Sequence, residues 1–152
     1  MTERDESNHL ILFAHVLAKF QFIEEGIRIY LRTVYALIKH RMRDEIPIKL
    51  SGRILERKSL SALLLEFERF NTNSQLIDNI RKLIQKRNHV AHVAFYKMYE
   101  DLVDGQDNAA AHLEDTRETG NAAHKCVELL HQEIEIVECL CRTEGIPPAD
   151  IV

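Results

Sequence analysis

FAHVLAKFQFIEEGIRIYLRTVYAL, residues 13–37, carries the longest regular apolar pattern in the chain. Its apolar side chains at Phe13, Leu17, Phe20, Ile23, Ile27, Tyr30, Val34 and Leu37 recur at spacings of three and four. That rhythm holds them on one face of an α-helix and predicts a helix over roughly residues 8–42. Working outward, Pro47 and Gly52 punctuate a region that fits neither helical nor strand periodicity, so residues 43–58 read as a loop with a short turn. Ser59 can cap a second helix carrying Leu60, Leu63, Leu64, Phe67 and Phe70, and the polar run Asn71-Thr72-Asn73-Ser74 stops it. Thr72 and Gln75 have capping-box spacing for a third helix with Leu76, Ile80, Leu83, Ala91, Ala94 and Met98, fading by Asp104-Gly105. A fourth helix carries Ala123, Val127, Leu130, Ile134, Val137 and Cys141, is weakly apolar over 110–121, and ends at Gly145, Pro147 and Pro148. No strand-like alternation of any length interrupts these patterns. The expected fold class is all-α, an antiparallel helical bundle of four main helices, with residues 1–152 as a single helical domain.

Composition narrows the classes of function. The 152 residues are 45% hydrophobic and 29% charged, with five glycines and three prolines, which describes a chain able to bury a core rather than a disordered one. The longest apolar stretch, Leu10 to Ala18, is broken by His15 and is about half of the roughly 20 residues a membrane-spanning helix needs. The start, MTERDESNH, carries acids where an export signal carries bases, so a cytoplasmic protein with no membrane partner is expected. Three cysteines suit neither a disulfide framework nor a metal clip and read as small core hydrophobes. His131 and Glu135 have the spacing of a metal pair without an evident third ligand, and no glycine-rich phosphate loop, nucleophile elbow or zinc motif is present. Neither a metal nor a cofactor is therefore expected.

The net charge of −4 conceals a strong polarity along the chain. Residues 39–58 hold seven Lys/Arg against three acids, and residues 80–99 hold five bases and no acid. Residues 100–152 hold three bases against thirteen acids. The basic stretch keeps a polyanion partner open, and a solvated helix face is the plainer reading of charge alone. With Arg87 set at zero on a helical wheel, Ile80 and Met98 fall at about 20°, Ala91 at about 40°, Leu83 at about 320° and Ala94 at about 340°. Arg87 thus sits within the apolar stripe, where a guanidinium needs a carboxylate, an exit to solvent, a ligand or a second subunit. Asn88, His92, Tyr99 and Arg81 form a polar edge beside it, whereas Lys82, Lys86, His89 and Lys97 fall mainly outside, facing water or a polyanion.

The string Arg87-Asn88-His89-Val90-Ala91-His92 resembles the R-x4-6-H signature of the HEPN superfamily, helical domains that bind nucleotides or RNA. The resemblance is tight over these six residues and loose over the helical layout around them. It implies a HEPN-like bundle and, in many relatives, a metal-independent endoribonuclease of toxin or defence type whose homodimer brings two motifs into one cleft. Carried onto this sequence, it makes Arg87 a phosphate binder, His92 a general acid/base or phosphate-orienting group, and Asn88 the residue that fixes either one. The chemistry suits these groups: imidazole titrates near neutral pH, and a guanidinium fork donates twice to phosphoryl oxygens. Lys82, Lys86, His89, Tyr96 and Tyr99 are the expected RNA-contacting residues around it. A straight helix sets Arg87 and His92 about 140° apart, so one phosphate is reached by both only through local distortion or a second subunit. Ala94 stands where the toxin branch that pairs with a nucleotidyltransferase antitoxin carries a tyrosine, which weakens that specific pairing. An antitoxin or other protein partner is one expectation; the alternative reading is a non-catalytic HEPN-like module that binds nucleotide, RNA or a protein through its polar groove and acidic last helix.

Overall fold

The computed structural model describes residues 3–42, 49–90, 96, 100 and 108–147. These residues form an all-α bundle of five helices without a strand: α1 (Glu3–Met42), α2 (Gly52–Leu55), α3 (Leu60–Phe67), α4 (Ser74–His89) and α5 (Asn108–Thr143). The one-turn α2 occupies the expected short turn. Arg28 of α1 anchors it, donating from Nε to the Leu55 carbonyl (3.3 Å) and from Nη2 to the Lys58 carbonyl (3.4 Å). Leu55 is the last residue of α2 and its carbonyl also accepts from the Lys58 amide at 3.2 Å, so the cation sits at the carbonyl end of the short helix, where positive charge is favoured.

The predicted helical stripes form the core, with local corrections. Phe13, Phe20, Ile23, Ile27, Tyr30, Val34 and Leu37 of α1 are buried as expected, but Val16 is buried where Leu17 was expected, and Leu17 is 36% exposed. Val16 faces the backbone of Gly120 on α5, a neighbour that helical periodicity alone does not reveal. Ser59 caps α3 through its hydroxyl, which accepts from the Ala62 amide. At α4 the cap is Asn73 rather than Thr72: Asn73 Oδ1 accepts from the Leu76 amide at 3.1 Å. Gly145, at φ 71°, ends α5 in the left-handed conformation, its amide bonded to the Arg142 carbonyl and that of buried Ile146 to the Cys141 carbonyl.

The direction of the helices departs from the expected antiparallel arrangement in one respect. Moving up α1, Val16 meets Gly120, Gly26 meets Leu130, the Thr33 carbonyl accepts from Cys141 Sγ, and Arg41 pairs with Glu144. The partners on α5 rise in the same order, so the two long helices run parallel. Helix α4 does run against both: its start is tied to Glu133 and its end to Asp115, while Tyr30 donates to the Phe70 carbonyl and Arg87 reaches down to Glu24.

Small residues let α1 and α5 approach closely. A methyl group added at Gly26 would come within 2.6 Å of Leu130 Cδ2, and one at Gly120 within 2.8 Å of Val16 Cγ2. Ala123 is fully buried between them. The polar turn before α4 is clamped to α5 by a single carboxylate. Asn71, 94% buried, donates from Nδ2 to Glu133 Oε2 at 2.9 Å, and Asn73 Nδ2 donates to Oε1 at 2.8 Å. Asn71 Oδ1 in turn accepts from the Asn73 amide at 2.8 Å. A buried amide left without such partners would cost the helix junction about 1–3 kcal/mol.

Candidate functional site

Helix α4 displays its charges on two flanks, separated by a buried edge of Leu76, Ile77, Ile80 and Leu83. Arg87 follows Leu83 by one helical turn and extends that edge to the rim of the bundle. Its side chain is 39% exposed, and Nη2 stands 3.9 Å from Glu24 Oε2. The other oxygen of Glu24 is held by Arg28, so one partly buried carboxylate faces two guanidinium groups. Of the solutions open to an arginine on an apolar stripe, the chain combines two: the head leaves the core, and a glutamate of another helix faces it. At 3.9 Å the pairing is loose, and the guanidinium donors remain accessible.

Asn88 and His89 are exposed on the last turn of α4. The Val90 amide continues the helical bonding by donating to the Lys86 and Arg87 carbonyls, and the Val90 side chain is buried. His92, Lys97 and Tyr99 lie outside the described residues, as does the expected end of the third helix at Asp104-Gly105. Tyr96 is 62% exposed. Its phenol donates to Glu100, and this bond with the nearby carboxylate charge raises the Tyr96 pKa.

The remaining expected RNA contacts, Lys82 and Lys86, face α5 rather than sharing the Arg87 edge. With Asn79 and Leu83 they line one wall of a groove of about 450 Å³ whose other wall is Glu118, Asn121, Ala122 and Lys125 of α5. Lys86 Nζ donates to Asp115 Oδ1 at 3.2 Å on this side. On the opposite flank Arg81 is committed to α3 and to its own helix, pairing with Glu68 and Asp78, each at 2.5 Å. The run of bases seen in the sequence is therefore divided: Arg81 is paired, Lys86 is paired at an exposed site, Arg87 is loosely opposed, and Lys82 has no ion pair among the described residues.

Sequence reasoning did not identify Glu24, Lys125, Asn121 or Glu118. A signal for Lys125 was present: it is a base in the acidic segment with asparagine four residues before it and leucine four after, so its own helix offers no acid at those positions. Glu24 had no comparable signal, because its relation to Arg87 exists only across two helices.

The other candidates are occupied locally. His131 Nε2 stands 3.3 Å from Glu135 Oε1 and His124 Nε2 3.5 Å from Glu128 Oε1, all on exposed turns of α5. Among the described residues no group of three or more His, Cys, Asp or Glu is arranged to hold a metal ion. Burial pushes the Cys126 thiol up to about 11, which suppresses the reactive thiolate near neutral pH. Cys141 is also buried, but Cys139 is exposed and corrects the expectation that all three cysteines pack in the core. No helix among the described residues is long and apolar enough to cross a membrane.

Comparison with known proteins returns no matching family model, no matching curated protein and no matching solved structure. The class defined by the described residues is an all-α five-helix bundle with a half-exposed arginine at the end of α4 and a lysine-lined groove beside it.

Proposed function

We propose that this chain is an RNA-cleaving domain of HEPN type, of toxin or defence character, acting as a homodimer whose composite site uses Arg87 and His92 from the motif Arg87-Asn88-His89-Val90-Ala91-His92. The observation that carries the reading is the placement of Arg87. It continues the core edge of α4, yet its guanidinium emerges at the rim, half-exposed and only loosely opposed by Glu24. A phosphate there gains two charge-assisted hydrogen bonds without breaking a short ion pair. In the proposed reaction His92 takes the proton from the 2′-hydroxyl or delivers one to the departing 5′-oxygen, as an imidazole near neutral pH can. Asn88, exposed next to Arg87, orients the phosphate or the imidazole. The second copy of the motif in the cleft is supplied by the partner copy.

A second reading, a non-catalytic module that binds nucleotide, RNA or a protein partner, is favoured by a different observation. Arg81 and Lys86 are already engaged by carboxylates of the same chain, so α4 offers less free positive charge than its sequence suggests. Incubation of purified protein with mixed cellular RNA, with and without chelator, separates the two. The RNase reading expects cleavage by the wild type in both conditions and its loss in Arg87→Ala and in His92→Ala, with helical signal and dimer retained. Absence of cleavage by the wild type with ligand or partner binding retained selects the module. Sedimentation showing only monomer at micromolar concentration would rule out the composite site.

A further inference from the structure

The groove between α4 and α5 gathers three lysines. Lys82 and Lys86 stand one helical turn apart on α4, and Lys125 enters from α5, with Leu83 and Ala122 as apolar lining and the amides of Asn79 and Asn121 among them. Three ammonium groups share this space with the carboxylate of Glu118. Like charges four residues apart on a helix disfavour each other by about 0.2–0.5 kcal/mol, and a third lysine across the groove adds to that repulsion.

The surrounding ion pairs make the arrangement more pointed. Of the three bases in residues 100–152, Arg117 pairs with Glu114 at 2.9 Å and Arg142 with Glu138 at 3.9 Å, each on its own helix. Lys125 has no such pair among the described residues. The acid three residues beyond it, Glu128, stands by His124, and the acid four residues before Lys82, Asp78, is bound to Arg81. Glu128 and Asp78 are thus engaged elsewhere, Asp115 pairs with Lys86, and Lys82 and Lys125 line the same groove with Glu118 as the acid of its lining. The volume of about 450 Å³ lies within the usual range of roughly 300–1,000 Å³ for small-ligand sites.

We infer that this groove binds consecutive phosphate groups, with Lys82, Lys86 and Lys125 as the cationic contacts. Lysine is suited to this as a mobile point charge with three donors. Asn79 and Asn121 supply neutral donors and acceptors to the rest of the ligand, and Glu118 accepts from a hydroxyl or amino group and disfavours a ligand that fills the groove with phosphate alone. The phosphates come either from a free nucleoside polyphosphate or from the backbone of a single-stranded RNA. The site lies about 100° to 140° around α4 from Arg87, so the inference stands without the catalytic reading.

The test is binding of three probes, inorganic triphosphate, ATP and a short labelled single-stranded RNA, by calorimetry and fluorescence anisotropy. Lys82→Glu and Lys125→Glu are expected to weaken the binding probe by about tenfold or more each, the equivalent of one lost charged contact. Arg142→Glu, an equal charge reversal at the far end of α5, is expected to have little effect. Asp115→Asn is expected to tighten binding by about twofold, because it releases Lys86. Helical circular dichroism verifies that each variant folds. Binding of ATP or triphosphate assigns a free polyphosphate; binding of RNA alone assigns a strand, with the salt slope falling by about 0.7 for each lysine removed. If no probe binds, or if Lys82→Glu and Lys125→Glu bind as the wild type does, the inference is overturned. Groove binding in a wild-type protein that cleaves no RNA would overturn the proposed catalytic function and leave the groove assigned.

Discussion

Helix α5 meets two neighbours by different physics. Against α1 the contact is one of shape: Gly26 and Gly120 bring the two backbones close, and Val16, Leu130 and Ala123 fill the space with at most 1% exposure. Against α4 the contact is one of charge and amides, running from the Glu133 clamp through the Lys125 groove to the Lys86–Asp115 pair. Where Gly26 and Gly120 approach their neighbours the first interface admits little variation, because close-packed side chains feel even one added methylene. The second leaves an open groove lined by Lys82, Lys86, Lys125 and Glu118. The close helix packing and the groove inferred to hold phosphates thereby lie on different sides of one helix, with the Glu133 clamp adding stability on the groove side.

A substitution at Gly120 should disrupt the α1–α5 contact most severely. Gly120→Leu places a branched side chain where a methyl group alone would meet Val16 Cγ2 at 2.8 Å, and Val16 is itself fully buried and β-branched. The variant should lose about 3 kcal/mol of stability despite the higher helix propensity of leucine, read as a lower denaturation midpoint. An unchanged or raised midpoint would mean that the two helices do not meet at Gly120. A smaller loss is expected from Glu133→Ala, which leaves the buried Asn71 amide and that of Asn73 without their acceptor. That variant should cost about 1–2 kcal/mol, with Glu133→Gln recovering part of it by restoring an acceptor to one of the two amides.

How much of this was legible in the sequence follows the same division. The apolar stripe of α1, the Ser59 cap and the Gly145 stop are local signals, carried by residues within a turn or two of one another, and they appear where the sequence placed them. Val16 rather than Leu17, and a parallel rather than antiparallel α1–α5 pair, were not legible. Periodicity marks which face is apolar, but not what covers it or which way the cover runs. Ion pairs were less legible again: nothing in the neighbourhood of Arg87 announces Glu24, and nothing near Lys82 announces Lys125. The Arg87 motif was visible as a string, while the division of its basic neighbours between two flanks required the positions of α3 and α5.

A milder effect comes from alkaline pH and sharpens the account of the α1–α3 contact. Burial and the Glu66 carboxylate, to which Tyr35 donates at 2.9 Å, raise the Tyr35 pKa above its ordinary value of 10.0, and burial raises that of Tyr30. The unfolded chain therefore loses these protons first. The stability they contribute is intact below about pH 10 and is lost as pH rises through the raised folded-state values. Denaturation midpoints measured across this range should hold up to about pH 10 and then fall, and Tyr35→Phe should shrink the fall. A decline unchanged in Tyr35→Phe would show that the phenol's environment does not set it.

Under the proposed function the Arg87 edge performs chemistry while the α4–α5 groove holds phosphates, and single-turnover RNA cleavage over a range of protein concentrations separates the two roles. Arg87→Ala is expected to remain slower than the wild type by about 10²–10³-fold even at saturating protein, as for the loss of a donor to a developing charge. Lys125→Glu should be defective at low protein and approach the wild-type rate at saturation. Wild-type rates from Arg87→Ala at saturation, or a Lys125→Glu defect that no concentration relieves, would contradict that division of labour.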